Sequence, residues 1–530
     1  MRIDWLRVES FKNLQGFVID LAEHEAMSVL IGENGAGKSN LFEAIVLIFR
    51  WMDLDGRDER VRFAFELRYE CRGKKITVTG HPDWEGQGYR VSVDGKELSQ
   101  RAFRAQREAL LPAHIFAYYS GPGDRLERLF RRHLRDFDKR VRDKKLDVGE
   151  LRRFFFCLPR HSRYVLLAYF LEDARHREFL KDYFGIEAFD SALLVLKRPW
   201  WSKPGRENPE GNALFWGALG NVSRFLDVLW THALAPMRIT EPADDDALPG
   251  EQRRSDREID RHYLYLPSEA KLRAVAKEWD TPKKLFAALD AIDLADLVDD
   301  VRVSVRCGGE TDITFSELSE GEQQLLTVVG MLRFTQGEET LFLLDEPDTH
   351  LNPRWKLDYL ELLQRELDHV SETSQLLLST HDPLTIASLE KKQVQIFQRD
   401  RETRRVSVHE ATEDPRGLGV AGVLTQMFGL PRTLDRPTLE MMDKRAALAA
   451  KAKLTDEEQR TLDALNKTLG ALGFLYESRD PRVGQVLAAI ADWERECDAL
   501  FWKLDENEQR ALAVRLVRER LGAPSAGGTL

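Results

Sequence analysis

A chain of 530 residues, 43% hydrophobic and 32% charged, holds material for about three to four cores, and no apolar run approaches the roughly 20 residues of a membrane-spanning helix. Its 78 lysines and arginines against 89 aspartates and glutamates leave a net charge of −11, which excludes a protein coated in basic charge and leaves only local patches for contact with nucleic acid. The four cysteines, Cys71, Cys157, Cys307 and Cys497, form no CxxC pair, so neither a zinc knuckle nor a disulfide framework is signalled and buried, unpaired thiols are expected.

The first residues, Met1-Arg2-Ile3-Asp4, carry charge where a signal peptide has its apolar core, and the expectation is a cytoplasmic protein with no membrane partner. Period-two patterns then mark β structure at residues 2–10, 17–21, 63–69, 75–79 and 89–93, while residues 27–31 and 114–119 are unbroken apolar runs that suit buried parallel strands. A glycine-rich loop and a helix reaching about residue 49 follow the first of these runs. After Ser120 the chain becomes long, charged and helix-forming, which reads as a helical insertion interrupted by exposed loops at 202–212 and 241–255. Strand character returns at 301–306, a helix starts near Glu322, and buried strands are expected at 341–344 and 375–378. A short β segment follows at 393–397 and 406–409, then helical pattern from Gly417 to Leu521 and a disordered tail around Pro524. The expected fold is α/β, in four parts: 1–120, 121–299, 300–412 and 413–530.

The strongest chemical signal is Gly32-Glu33-Asn34-Gly35-Ala36-Gly37-Lys38-Ser39, which fits G-x-x-x-x-G-K-[ST] between a strand and a helix. In such a loop the glycines turn backbone amides inward on phosphates, the lysine reaches the β and γ phosphates, and the serine hydroxyl ligates Mg²⁺. A second signal is Leu341-Phe342-Leu343-Leu344-Asp345-Glu346, an apolar strand ending in two carboxylates where open α/β sheets place their ligands. Asp345 is expected to hold Mg²⁺ and Glu346 to polarise the attacking water.

Between them, Leu318-Ser319-Glu320-Gly321-Glu322-Gln323-Gln324 resembles the LSGGQ signature of ABC ATPases, with Glu320 in place of the usual glycine, as in the SMC-like and OLD-like branches. The resemblance implies an ABC ATPase head, with a P-loop core sheet and an antiparallel β lobe, carrying a large helical insertion and a C-terminal helical region. It implies ATP and Mg²⁺ as ligands and a site completed when two heads meet around ATP, in a homodimer or higher homo-oligomer. Glu346-Pro347-Asp348-Thr349-His350-Leu351 looks like the D-loop of those branches, Leu378-Ser379-Thr380-His381-Asp382 like their switch-histidine strand end, and Ser10-Phe11-Lys12-Asn13-Leu14 like the turn beside adenine and phosphates. Carried over residue by residue, the catalytic positions are Lys38, Glu346 and His381, and the Mg²⁺ positions Ser39 and Asp345. Nucleotide contacts fall to Lys12, Asn13, Gly32, Asn34, Gly35, Gly37, Lys38, Ser39, Asn40, Ser319, Gly321 and Glu322. No Q-loop glutamine can be assigned: Tyr119 leads into Ser120-Gly121, and Gln100 and Gln106 lie upstream on an expected helix.

The layout outside the motifs, with Phe116-Ala117-Tyr118-Tyr119-Ser120-Gly121 before a basic insertion and Val423-Leu424-Thr425-Gln426-Met427-Phe428 after the core, resembles the ATPase subunits of Septu-type anti-phage systems, including retron-associated forms. That resemblance implies a slow regulatory ATPase that holds and controls a separate HNH-type nuclease. No nuclease motif is seen in the chain itself. A RecF/SMC-like DNA-repair or chromosome-maintenance ATPase is the alternative. Residues 125–163 hold fourteen lysines and arginines against six acids, a local patch for DNA, retron RNA/DNA or an acidic partner. Leu462, Leu465, Leu469, Leu472 and Phe474 recur at helical spacing and mark the C-terminal region as a place for protein contacts.

Overall fold

Four apolar runs, at residues 27–31, 115–117, 341–344 and 376–378, are buried on both faces, and this explains the central layer of the molecule. In the computed structural model they become parallel strands of a seven-stranded sheet in the order Val406–Glu410, Val394–Arg399, Met27–Gly32, Ser374–Ser379, Thr340–Asp345, His114–Tyr119 and Phe154–Phe156. Only Val406–Glu410 runs antiparallel to its neighbour. Register aligns the functional ends: Asp345 lies beside Ser379 on one side and Tyr119 on the other, and Ser379 lies beside Leu30. The carboxyl ends of the strands therefore form one edge, where ligands of open α/β sheets bind.

The described residues are 1–21, 26–54, 60–121, 123–142, 149–172, 177–242, 258–308, 312–314, 318–335, 337–368, 373–400, 402–430, 434–451 and 453–472. They fall into two compact units, Met1–Gly429 and Leu430–Leu530.

In the first unit an antiparallel six-stranded sheet begins with Leu14–Asp20, Arg2–Phe11 and Phe65–Cys71. Its inward residues, among them Leu6, Val8, Leu67 and Tyr69, share a core with the helix Lys38–Leu54. That helix is buried nearly all round, as expected of a helix enclosed between layers. These two sheets match the expected P-loop core and antiparallel lobe of an ABC ATPase head.

The insertion differs from its expected helical character. It holds the helices Glu127–Arg142, His161–Tyr169, Gly220–His232 and Pro282–Leu294, but also the strands Ile186–Lys197, Leu234–Pro242 and Glu258–Leu266. With Val298–Cys307 and Asp312–Thr314 these build a five-stranded antiparallel sheet. The physical reason is ambiguity: a short apolar run such as Leu193-Leu194-Val195-Leu196 suits a strand or a buried helix equally well by periodicity.

In the second unit, Arg436–Ala449 and Asp456–Ala471 form a helical pair. Asp435 caps the first helix, and a Thr455/Glu458 capping box starts the second. Leu469 is buried, whereas Leu472 stays exposed. The helical stretch Pro415–Gly422 belongs to the first unit. The expected helices beyond residue 472, Cys497, Phe474 and the tail lie outside the described residues. Cys71, Cys157 and Cys307 are free thiols, the first two buried. Among the described residues no helix is long and apolar enough to cross a membrane.

Candidate nucleotide-binding site

The glycine loop is shaped by what surrounds it. Gly32 has φ near +144°, and a Cβ there would stand 2.3 Å from the Phe397 carbonyl oxygen, so only glycine lets the strand end turn beside its neighbour. Gly35 and Gly37 also have positive φ. The Lys38 ammonium lies folded into the loop, donating to the Gly32 carbonyl at 2.7 Å. Burial pushes this ammonium below its ordinary pKa, opposed by the charges of Glu346 and Asp345. A buried cation folded over a glycine loop at the start of a helix suits a polyanionic ligand.

The hairpin turn carrying Lys12 and Asn13 is tied to this loop. Asn13 donates to the Gly35 carbonyl at 2.8 Å and accepts from Asn40 at 2.6 Å. Lys12 pairs with the buried carboxylate of Glu43 at 2.5 Å, so its ammonium is held at the flank of the helix. Arg125 closes the network, reaching Glu43 at 2.7 Å and Asn40 at 2.5 Å. Sequence reasoning placed Arg125 in a surface basic stretch and did not single out Glu43. Their contact spans 82 positions, which no local pattern signals.

Across the edge, Asp345 is 2% exposed. Burial raises its carboxyl above the usual range, against hydrogen bonds from Ser379 and Ser39. Glu346 adopts a left-handed backbone, φ +53°, held by its amide donating to the Ser379 carbonyl at 2.9 Å. This turn separates its carboxylate from that of Asp345 and brings it to 3.2 Å from His381 Nδ1. Asp348, also buried, accepts from Thr380 and Thr385, each at 2.6 Å, and fastens the loop after Glu346 to the switch-histidine strand end.

Where a Q-loop glutamine would stand, the strand His114–Tyr119 ends beside Asp345 and delivers Tyr119 and Ser120. The Ser120 amide donates to the Asp345 carbonyl at 3.3 Å, and its hydroxyl donates to Thr349 at 3.1 Å. Gln100 instead bonds the Tyr89 carbonyl.

The signature residues sit on a separate element. Ser319 caps the helix Glu320–Phe334 in a capping box with Glu322, whose carboxylate accepts from the Ser319 amide at 2.6 Å and hydroxyl at 2.8 Å. Gly321 lies tight against the D-loop, since a Cβ there would meet the His350 carbonyl at 2.6 Å. None of the Ser319 hydrogen bonds among the described residues reaches the phosphate loop. Thus Lys38, Ser39, Asp345, Glu346 and His381 are brought together, flanked by Asn13 and Asn40. Ser319, Gly321 and Glu322 form a second surface, and Asn34 is exposed at the tip of the loop.

Among the described residues there is no cluster of three or more His, Cys, Asp or Glu that could hold a metal. Ser39 and Asp345, hydrogen-bonded to each other, are instead hard oxygen donors of the kind that bind Mg²⁺ jointly with phosphates. A buried carboxylate with a raised pKa is also one that a divalent cation would relieve.

The stretch 125–163 divides in two. Arg152, Arg153, Arg160 and Arg163 pair internally with Asp290, Asp53, Asp293 and Asp300. On the helix Glu127–Arg142, Arg128, Arg131, Arg132 and Arg135 line a concavity with Arg50 and Asp136, and Arg131 there pairs with Asp124 at 2.9 Å.

A family model described as "AAA domain, putative AbiEii toxin, Type IV TA system" matches residues 52–387, a span that holds the signature, the two carboxylates and His381 but begins after the phosphate loop. The chain is 25% identical over 162 residues to the Septu protein PtuA of Bacillus mycoides (strain KBAB4), covering 29% of this chain and 22% of that protein. The match thus spans less than a quarter of that relative. Two solved structures are also similar. One is an Smc head bound to the C-winged helix domain of ScpA, with TM-score 0.34, 12% identity, and 77% of this chain and 98% of that one covered. The other is an Smc head with an extended coiled coil bound to the C-terminal domain of ScpA, derived from Pyrococcus furiosus, with TM-score 0.33, 13% identity, and 77% and 96% covered.

Proposed function

The chain belongs to the AAA-domain family whose model it matches, and from that premise we propose that it is an ATP-hydrolysing regulatory subunit of a bacterial anti-phage complex that holds and controls a separate HNH-type nuclease. The observation that carries the ATPase part is the meeting of Lys38, Ser39, Asp345, Glu346 and His381 at one edge of the parallel sheet. Lys38 and the loop amides hold the β and γ phosphates, Glu346 orients and polarises the attacking water, and His381 steadies the Glu346 carboxylate and faces the γ phosphate. Ser39 and Asp345 would hold Mg²⁺, which supplies charge neutralisation on the phosphates. The signature surface, Ser319 and Gly321 with Glu322 fixing the serine, serves the ATP of a second head, so that a homo-oligomer completes each site. The likeness to the Septu protein PtuA supports the defence assignment, and the nuclease partner is what the resemblance to Septu-type ATPase subunits implies.

The test is co-purification with an HNH nuclease encoded beside the gene, together with phosphate release. Wild type is expected to retain the nuclease and hydrolyse ATP slowly, and Lys38→Ala to lose nucleotide binding. An unchanged hydrolysis rate in Lys38→Ala would sink the assignment of the site.

A RecF/SMC-like role on DNA is the second reading, and the arginine concavity of Arg50, Arg128, Arg131, Arg132 and Arg135 is what favours it, since it binds phosphates without reading bases. DNA-stimulated ATP hydrolysis that falls steeply with salt, and is lost in Arg128→Glu/Arg131→Glu/Arg135→Glu, would support it over the defence reading.

A further inference from the structure

A second cavity lies at the opposite end of the phosphate-loop helix from the site above. Its volume is about 670 Å³, within the range of pockets that hold small molecules. Arg72, Arg107, Arg132, Arg140, Arg152 and Arg153 line it, with His133. Four carboxylates, Asp53, Glu108, Asp136 and Glu150, share the lining, and Arg152 is paired with the buried Asp290, so the cavity is cationic by one charge in a chain of net charge −11. Part of that charge is already balanced: Arg153 pairs with Asp53 at 3.2 Å and also with Glu108, and His133 Nε2 meets Asp53 at 3.0 Å. Burial alone would raise the Asp53 carboxyl, but the His133 hydrogen bond and the Arg153 charge hold it below the usual range. Arg140 is exposed on the cavity side of its helix, and Arg72 and Arg107 each use one Nη on a carbonyl, Leu111 and Asp53 respectively. Guanidinium donors therefore remain for a ligand, while the carboxylates can accept from hydroxyl or amino groups.

We propose that this cavity binds a small phosphorylated ligand of mononucleotide size, at a site separate from the ATP site. Arginine forks match phosphate oxygens in a bidentate manner, and the mixed acid and arginine lining suits a phosphate joined to a polar, hydroxyl-bearing body better than it suits a bare polyanion. Position gives the site a consequence. Asp53 and Leu54 are in the last turn of the helix that starts at Lys38, about 23 Å away at 1.5 Å per residue. Arg107, which keeps donors for the ligand, also grips the Asp53 carbonyl, and Arg153 and His133 in the same lining hold the Asp53 carboxylate. A ligand here acts on the far end of the helix that carries the phosphate loop.

The test uses the full-length Lys38→Ala protein, so that the ATP site contributes no binding, with inorganic pyrophosphate and GMP as separate probes in titration calorimetry. Saturable binding of either probe is expected, weakened at least tenfold by Arg140→Glu and further by Arg140→Glu/Arg72→Glu. The same arginine substitutions placed on the wild-type chain should leave ATP binding unchanged, which reports that they fold. Pyrophosphate binding alone assigns a phosphate subsite, and GMP binding assigns the nucleotide body as well. The proposal is overturned if neither probe binds Lys38→Ala, if binding is indifferent to the arginine substitutions, or if only a 20-nucleotide single strand binds, because the neighbouring arginine concavity then extends into this cavity as one nucleic-acid groove.

Discussion

At the scale of single residues, the two carboxylates that end the strand Thr340–Asp345 have different surroundings. Asp345 is buried between Ser39 and Ser379, whereas Glu346 is rotated out by its positive φ and leans on His381. That division supports the proposed roles, metal contact for Asp345 and water activation for Glu346. Glu346→Gln is therefore expected to bind ATP as wild type does and to hydrolyse it about 10²–10⁴-fold more slowly, the usual range for loss of a positioned general base. Single-turnover phosphate release checks this, and a wild-type rate would mean that another group activates the water. These residues could be read in the sequence because each stands at the end of an apolar run or inside a contiguous glycine motif. Arg125, Glu43 and Ser379 could not, since their roles exist only through partners 34 or 82 positions away.

At the scale of elements, charged side chains tie the helix Pro282–Leu294 to the segments that lead into the central-sheet strands Phe154–Phe156 and Thr340–Asp345. Arg152 and Asp290 form an ion pair in which both side chains are nearly sealed from solvent, with the Arg152 guanidinium over the Phe155 ring. Arg152→Met leaves a buried carboxylate without its partner and is expected to cost about 3–5 kcal/mol in urea unfolding, while Arg152→Met/Asp290→Leu recovers most of it. A single-variant cost under about 1 kcal/mol would show that the pair does not hold these elements together. Glu338 joins His114 at 2.5 Å and also Lys283. Burial would raise its carboxyl, but the His114 and Lys283 hydrogen bonds bring it down to about 2. A carboxyl depressed in the folded state stabilises above its unfolded pKa of roughly 4.3 and loses that contribution as pH falls toward 2. The thermal destabilisation caused by Glu338→Gln should thus be present at pH 6 and shrink steadily between pH 4.5 and 2.5. A difference that stays constant over that interval would contradict the assignment.

The parallel strands and the phosphate-loop helix could be read because their apolar runs are bounded by turn chemistry. The strands of the insertion could not. Ile186–Lys197 pairs with Glu258–Leu266 and Val298–Cys307, so its identity as a strand depends on residues about 70 and 110 positions further on.

At the scale of the whole molecule, the proposed function gives one head two incomplete half-sites. The phosphate loop, carboxylates and histidine form one surface, and the signature serine, fixed by Glu322, forms another that makes no hydrogen bond to the first among the described residues. The central claim is that ATP hydrolysis requires these halves from two different chains, and mixing two inactive variants tests it most directly. Lys38→Ala removes phosphate binding and keeps the signature, whereas Ser319→Arg blocks the signature and keeps the phosphate loop. Each alone should be inactive. Mixed in equal amounts and allowed to exchange subunits, half of the dimers are mixed and each has one of two sites intact, so phosphate release should return to about a quarter of the wild-type rate. No recovery on mixing, or full activity of Ser319→Arg alone, would contradict the account.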